Sequence, residues 1–184
     1  MAERADDHTR IYLLKLYEAQ ACMMIGDAGR ARELLEKSIE RGKELRTTTL
    51  LAWAQALLAT SLLRLGQPHA VPALCEESIR LAEATPDRQA NALAHRTLAE
   101  AVAVLTPSDT DRAEHLIVDA IRMQQAVGSR PELARSHAAY ARLLARWGRA
   151  AEAKTHITEA IDMFRGMDML HDLADAEQVA VELN

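Results

Sequence analysis

The sequence predicts an all-α solenoid, with four helix pairs in a row closed by one further helix. Three observations carry that expectation. A short pattern recurs four times, at steps of 40, 42 and 40 residues. Hydrophobic residues make up 49% of the 184 residues and aromatics only 3%; alanine and leucine, strong helix formers, fill the difference. Glycine (7) and proline (5) are scarce, as long helices joined by short turns require.

The repeat is clearest in its last helical turns. LLEKSI (34–39), LCEESI (74–79), LIVDAI (116–121) and HITEAI (156–161) align on Ile39, Ile79, Ile121 and Ile161. A small residue precedes each: Ser38, Ser78, Ala120 and Ala160. Seven residues earlier stand Ala31, Val71, Ala113 and Ala153. Ala153, Ile157 and Ala160 fall at i, i+4 and i+7, on one helical face. Small residues let two helix axes approach and large ones fill the adjacent grooves.

Residues 1–10 read as a charged tail. The first pair covers 11–46 and turns at GDAG (26–29). The second covers 50–85 and turns at GQPH (66–69); Pro68 and Pro72 delay its second helix to about His69–Val71, since proline is poorly tolerated deeper inside. The third covers 88–128, opens on a Thr85-Pro86 cap and turns at TPSDTD (106–111), two residues longer than the others. The fourth covers 131–167 and turns at GRAA (148–151). Its start, Ser129-Arg-Pro-Glu132, has the capping-box form. A large apolar residue precedes each turn: Ile25, Leu65, Leu105 and Trp147. The first helices repeat a large-small-large set, Leu58-Ala59-Leu62, Leu98-Ala99-Val102 and Tyr140-Ala141-Leu144. Residues 168–184 form the amphipathic helix that closes the stack, as a terminal repeat face requires.

Composition narrows the function. A net charge of −5 disfavours a nucleic-acid or anionic-membrane binder. No long apolar run supplies a secretory signal or a membrane span. Cys22 and Cys75 belong to no CxxC and read as buried, reduced thiols of a cytoplasmic chain. The seven histidines show no ligand spacing such as HExxH, which leaves only a site assembled from separate repeats. GxxxxGK[ST], GxGxxG and GxSxG are absent. Ser38 and Ser78 occupy packing positions, Cys75 shares the slot of Leu35, Ile117 and Ile157, and Glu76 and Glu77 lie on a solvent face. The expectation is a non-enzymatic chain without cofactor or metal.

The large-small pairs, the turn glycine and the small-large-small triad resemble tetratricopeptide repeats (TPRs) over about residues 11–167. The first unit departs from the pattern with Glu18-Ala19, and the second carries Val71 for alanine. The pitch near 40 is longer than the usual 34. It resembles the arrays of kinesin light chains and cell-polarity scaffolds, and the helical tails of large bacterial signalling ATPases and cyclases. The resemblance implies a right-handed α-α superhelix whose first helices line a concave face. Carried onto this chain, that face holds Leu13, Leu16, Gln20, Met23 and Met24, then Trp53, Thr60, Leu63 and Arg64. Arg96 and Glu100 follow, then Arg135, Arg142 and Arg146. The groove is thus apolar and methionine-rich at one end and arginine-rich at the other. The family's carboxylate clamp is missing, with Leu16 and Gln20 in its slots, so chaperone-tail binding is disfavoured.

Arg135, Arg142 and Arg146, at i, i+7 and i+11, share one stripe on helical geometry alone. Arginine's planar fork suits carboxylates and phosphates. A solvated face with local pairing, Arg96 with Glu100 for instance, is the other reading. Exposed ion pairs contribute about 0–1 kcal/mol each, and a micromolar partner needs about 8, so an apolar anchor must assist. The leading expectation is therefore a protein-interaction module that takes an acidic peptide or helical segment, as the regulatory part of a bacterial signalling or transcription-control protein. The alternatives are self-association through the apolar N-terminal end, and a sensor for a phosphorylated or carboxylated metabolite.

Overall fold

Apolar stripes interrupted by tight turns leave the chain little choice but antiparallel helix pairs, and these are what form. A computed structural model describes residues 2–45, 47–84 and 88–183. The first pair is α1 (Ala2–Met24) with α2 (Ala28–Leu45), and the second α3 (Thr48–Arg64) with α4 (Val71–Glu83). The third is α5 (Arg88–Leu105) with α6 (Thr110–Val127), and the fourth α7 (Arg130–Arg146) with α8 (Ala150–Arg165). The closing helix is α9 (Leu170–Glu182). No described residue is in a strand, and no helix is long and apolar enough to cross a membrane.

The repeat positions are the core. Ala31, Val71, Ala113 and Ala153 are fully buried, as are Leu35, Cys75, Ile117 and, to within 1%, Ile157. Ser78 is tolerated at its small-residue position because its hydroxyl finds a carbonyl on the neighbouring helix, donating to Ala52 O at 2.8 Å. Ser38 donates to Leu34 O of its own helix at 2.7 Å. The large-small-large sets of α3, α5 and α7 are all buried. The closing isoleucines are less uniform: Ile39 is buried, whereas Ile79, Ile121 and Ile161 are only partly covered. Cys22 is partly buried rather than buried, while burial pushes the Cys75 thiol well above its ordinary pKa. Ile25, one of the apolar residues before the turns, is 78% exposed.

Three of the four pairs turn on a left-handed glycine, Gly26, Gly66 and Gly148, whereas the longer turn of the third pair uses none. Gly148 has φ +75°, and the Arg149 N–H donates back to Leu144 O at 2.9 Å, closing a Schellman motif that a side chain at 148 would strain. After α8 the same closure is made by Asp168 at φ 54°, with Met169 N–H donating to Phe164 O at 3.0 Å. Pro68 and Pro72 act as expected: a 3₁₀ turn over Pro68–Ala70 precedes α4, which starts at Val71. One boundary differs from expectation. Helix α1 begins at Ala2, upstream of the boundary at residue 11, because residues 1–10 contain no glycine or proline to stop it. The Thr85-Pro86 cap lies outside the described residues.

Stacking is asymmetric. Among the described residues α1 touches α3, α3 touches α5, α5 touches α7 and α7 touches α9. Among the described residues the second helices α2, α4, α6 and α8 each pack on the first helix that follows, and between themselves only exposed side chains meet, as in the 3.6 Å ion pair of Arg112 on α6 with Glu76 on α4. The array therefore curves, with the odd-numbered helices on the inside.

Candidate functional site

The inner face is organised by the start of α7. Pro131 sits in its first turn, but Ser129 makes no side-chain cap and the capping box does not form. Glu132 turns instead between two guanidiniums, accepting from Arg96 Nη1 of α5 at 2.8 Å and from Arg135 Nη1 at 2.5 Å. Two charge-assisted bonds outweigh the single neutral one a cap would give. Arg135 continues the chain to α9 with a bidentate grip on Asp172, Nε to Oδ1 at 2.8 Å and Nη2 to Oδ2 at 3.0 Å. One ionic chain, Arg96–Glu132–Arg135–Asp172, thus ties three inner helices together.

The electrostatics follow. Burial pushes the Glu132 carboxyl up, but Arg96 and Arg135 outweigh it and hold it below the ordinary carboxylate range. Burial opposes the charge on Arg135, yet Asp172 and Glu132 keep it more firmly protonated than a free arginine. Arg64 donates from Nη1 to Met23 O at 2.6 Å. Its pKa lies below normal, through desolvation first and then the nearby charges of Arg96 and Arg135, partly offset by Asp172 and Glu100. Arg64, Arg96, Arg135, Glu100 and Asp172 therefore share one field. The expected Arg96–Glu100 pair is not made, because Glu132 takes Arg96.

The remaining candidates divide cleanly. Arg142 and Arg146, one and two steps along the stripe from Arg135, are exposed and meet no carboxylate among the described residues. Arg96, only 6% exposed, is structural. At the other end Leu16 and Met23 are buried and fill the core instead of facing a groove. Leu13, Gln20 and Leu63 are half-buried, and Met24 is 55% exposed. Trp53 is half-buried with Tyr17 edge-on to it, ring centroids 5.4 Å apart. The Thr60 hydroxyl bonds Ala56 O and stands 2.8 Å from the Thr97 hydroxyl across α3 and α5. A cleft of about 340 Å³ opens elsewhere, between α1 and α2, lined by Tyr12, Leu34 and the basic Lys15, Arg30 and Lys37.

A second constellation went unanticipated, since no metal was expected. His137 of α7 and His156 of α8 face each other with Nδ1 atoms 2.9 Å apart. Glu159 Oε2 lies 3.0 Å from His137 Nδ1 and 3.9 Å from His156 Nδ1. The three come from the two helices of one repeat, not from separate repeats. Burial lowers the pKa of both imidazoles, only partly opposed by Glu159, so both rings stay neutral at neutral pH. Beside them the Tyr140 ring packs on His156 at 4.5 Å. Its hydroxyl donates to Glu114, and burial followed by that bond pushes it up to about 12. Arg149 binds Glu114 at 2.7 and 2.8 Å, and Glu152 at 2.6 and 2.7 Å.

Solved structures with the same course of helices decide the fold. BtubC (BKLC) from P. vanneervenii superposes with a TM-score of 0.63 at 17% identity, over 99% of this chain and 82% of that one. The TPR-like repeats of a putative kinesin light chain from Podosopora anserina give 0.58 at 20% identity, over 92% and 89%. The fold is a TPR-like solenoid. No family model matches the sequence, and no curated protein does. In the TPR-like frame the odd-numbered helices that touch one another are the first helices of each repeat, and the arginine stripe of α7 belongs to that layer.

Proposed function

We propose that this TPR-like array is a non-enzymatic interaction module whose concave face takes an acidic peptide or helical segment of a protein partner. In this reading it is the regulatory part of a bacterial signalling or transcription-control protein and works in the cytoplasm. The observation that carries the proposal is the state of Arg142 and Arg146. Arg30, Arg41, Arg80, Arg149 and Arg165 each meet a carboxylate, whereas these two are exposed and meet none among the described residues, on the stripe that Arg135 begins. Exposed charges steer and select more than they hold, so the anchor falls to apolar groups such as Met24, Leu63 and Trp53.

The double variant Arg142→Glu/Arg146→Glu is expected to weaken partner capture by about tenfold and to flatten its salt dependence, with the helical content unchanged. Affinity purification at two ionic strengths, read by mass spectrometry, checks this. An unchanged set of captured proteins would remove the groove from consideration.

One observation favours a second reading, self-association. Ile11, Leu14, Tyr17 and Met24 of α1 are each more than half exposed, an apolar face that no described element covers. Light scattering during size exclusion should then show a dimer that Leu14→Glu dissociates. A monomer at all micromolar concentrations would eliminate this option.

A further inference from the structure

His137, His156 and Glu159 present three metal-ligand atoms at one point. The edges of their triangle are 2.9, 3.0 and 3.9 Å. Ligands at about 2.0–2.1 Å from a tetrahedral zinc ion stand about 3.3 Å apart; two edges fall a few tenths of an ångström short of that and the Glu159–His156 edge is longer, a difference that rotation of the half-exposed Glu159 side chain removes. A centre equidistant from the three atoms lies about 2.0 Å from each, the length of a zinc–imidazole bond. Two imidazole nitrogens and one carboxylate form a donor set that zinc accepts with a fourth position left for water.

Without metal the site is served by a single proton. One Nδ1–H can bridge the two histidines, and Glu159 Oε2 adds a negative charge at the same spot. A cation there would use both nitrogen lone pairs at once. Access is graded: the His137 side chain is 7% exposed, that of His156 25% and that of Glu159 51%. The deep ligands are held by packing, and the shallow carboxylate leaves an entry path from solvent.

We infer that His137, His156 and Glu159 bind a zinc-type divalent transition-metal ion that staples α7 to α8 in the last repeat. The site is independent of the groove and of any partner. The ion joins two ligands on α8 to one on α7, across the turn at Gly148.

The test uses the full chain, stripped with a chelator and titrated calorimetrically with zinc chloride, then with cobalt(II) followed by visible absorption. One equivalent of zinc should bind, cobalt should show ligand-field bands of a tetrahedral site, and the thermal midpoint should rise with zinc as mass action requires. Glu159→Gln, a near-isosteric change at an exposed position, should weaken zinc by about tenfold or more, and His156→Ala further. His171→Ala, at an exposed histidine outside the cluster, should leave affinity unchanged. Circular dichroism of each variant confirms that the fold persists. Failure of the wild-type chain to take up zinc would overturn the site. So would equal affinity in the Glu159→Gln and His156→Ala chains.

Discussion

Glu132→Ala should cost the fold roughly 3–5 kcal/mol, far more than loss of a helix cap, which is typically about 1. The reason is the group left behind. Arg96 is 6% exposed and its ion pair is with Glu132. Truncation would leave a cation in the interior with no counter-charge, while Arg135 would keep Asp172. Urea denaturation measures the loss, and a change below about 1 kcal/mol would mean that water reaches Arg96 and the network is dispensable. Adding Arg96→Met should recover most of the stability, because an apolar pair of similar volume avoids the desolvation that the ions suffer. Acid should act as the mutation does. The Glu132 carboxyl titrates below its unfolded value of about 4.3, so its contribution is complete above that pH and lost as pH falls through the lower, folded value. The Glu132→Ala chain should therefore be less sensitive than the wild type to a shift from pH 5 to about pH 3.

Phe164→Ala should be the most damaging apolar truncation at the C-terminal end, at about 3–5 kcal/mol. Phe164 is the only phenylalanine and is 1% exposed. Its cluster consists largely of alanines: Ala134, Ala138 and Ala141 of α7, Ala160 of α8 and Ala176 of α9. Alanine has no rotamer with which to move into a void, so the cavity should stay open and the cost fall toward the upper part of that range. Helix α9 rests on this ring, and Ala176 is its only buried residue. Proteolysis at 166–169 should accelerate before the rest of the array unfolds. A loss under about 1.5 kcal/mol, with the same cleavage rate, would show that α9 is held mainly by Arg135 and Asp172.

The register of the solenoid was legible because a stacked repeat must place the same residue sizes at the same contacts. Ala153, Ile157 and Ala160 identify the seam without knowledge of the partners. Polar partners were less legible. The Ser129-x-x-Glu132 pattern is a local signal for a cap, and it lost to Arg96, which lies 36 residues away. Thr60 with Thr97, Arg135 with Asp172 and Glu114 with Arg149 are likewise separated by 35 to 37 residues. Most of these polar contacts between repeats thus run slightly short of the 40-residue pitch, although Arg64 reaches Met23 O over 41 residues. Helices packed in series meet a few residues before full register, and the residue spacing alone did not reveal that offset. The histidine cluster, by contrast, was within reach. Helices α7 and α8 reflect through Gly148, which sets residue 137 opposite 159 and residue 140 opposite 156. Ligand spacings along the chain do not show it, because the pairing runs across the turn. At the N-terminal end the family pattern places Leu16 and Met23 in a groove, but the odd helices press together there and absorb them.

That one-sided contact between repeats makes the molecule a book bound along its spine. Its inner helices touch one another, and its outer helices are pages sewn to them. Among the described residues the second helices meet only through exposed side chains such as Arg112 and Glu76, so fanning the outer edge breaks little packing and curvature is a soft motion. A ligand laid along the inner face can set that curvature. Its occupancy would then be legible on the far side as the spread of α2, α4, α6 and α8.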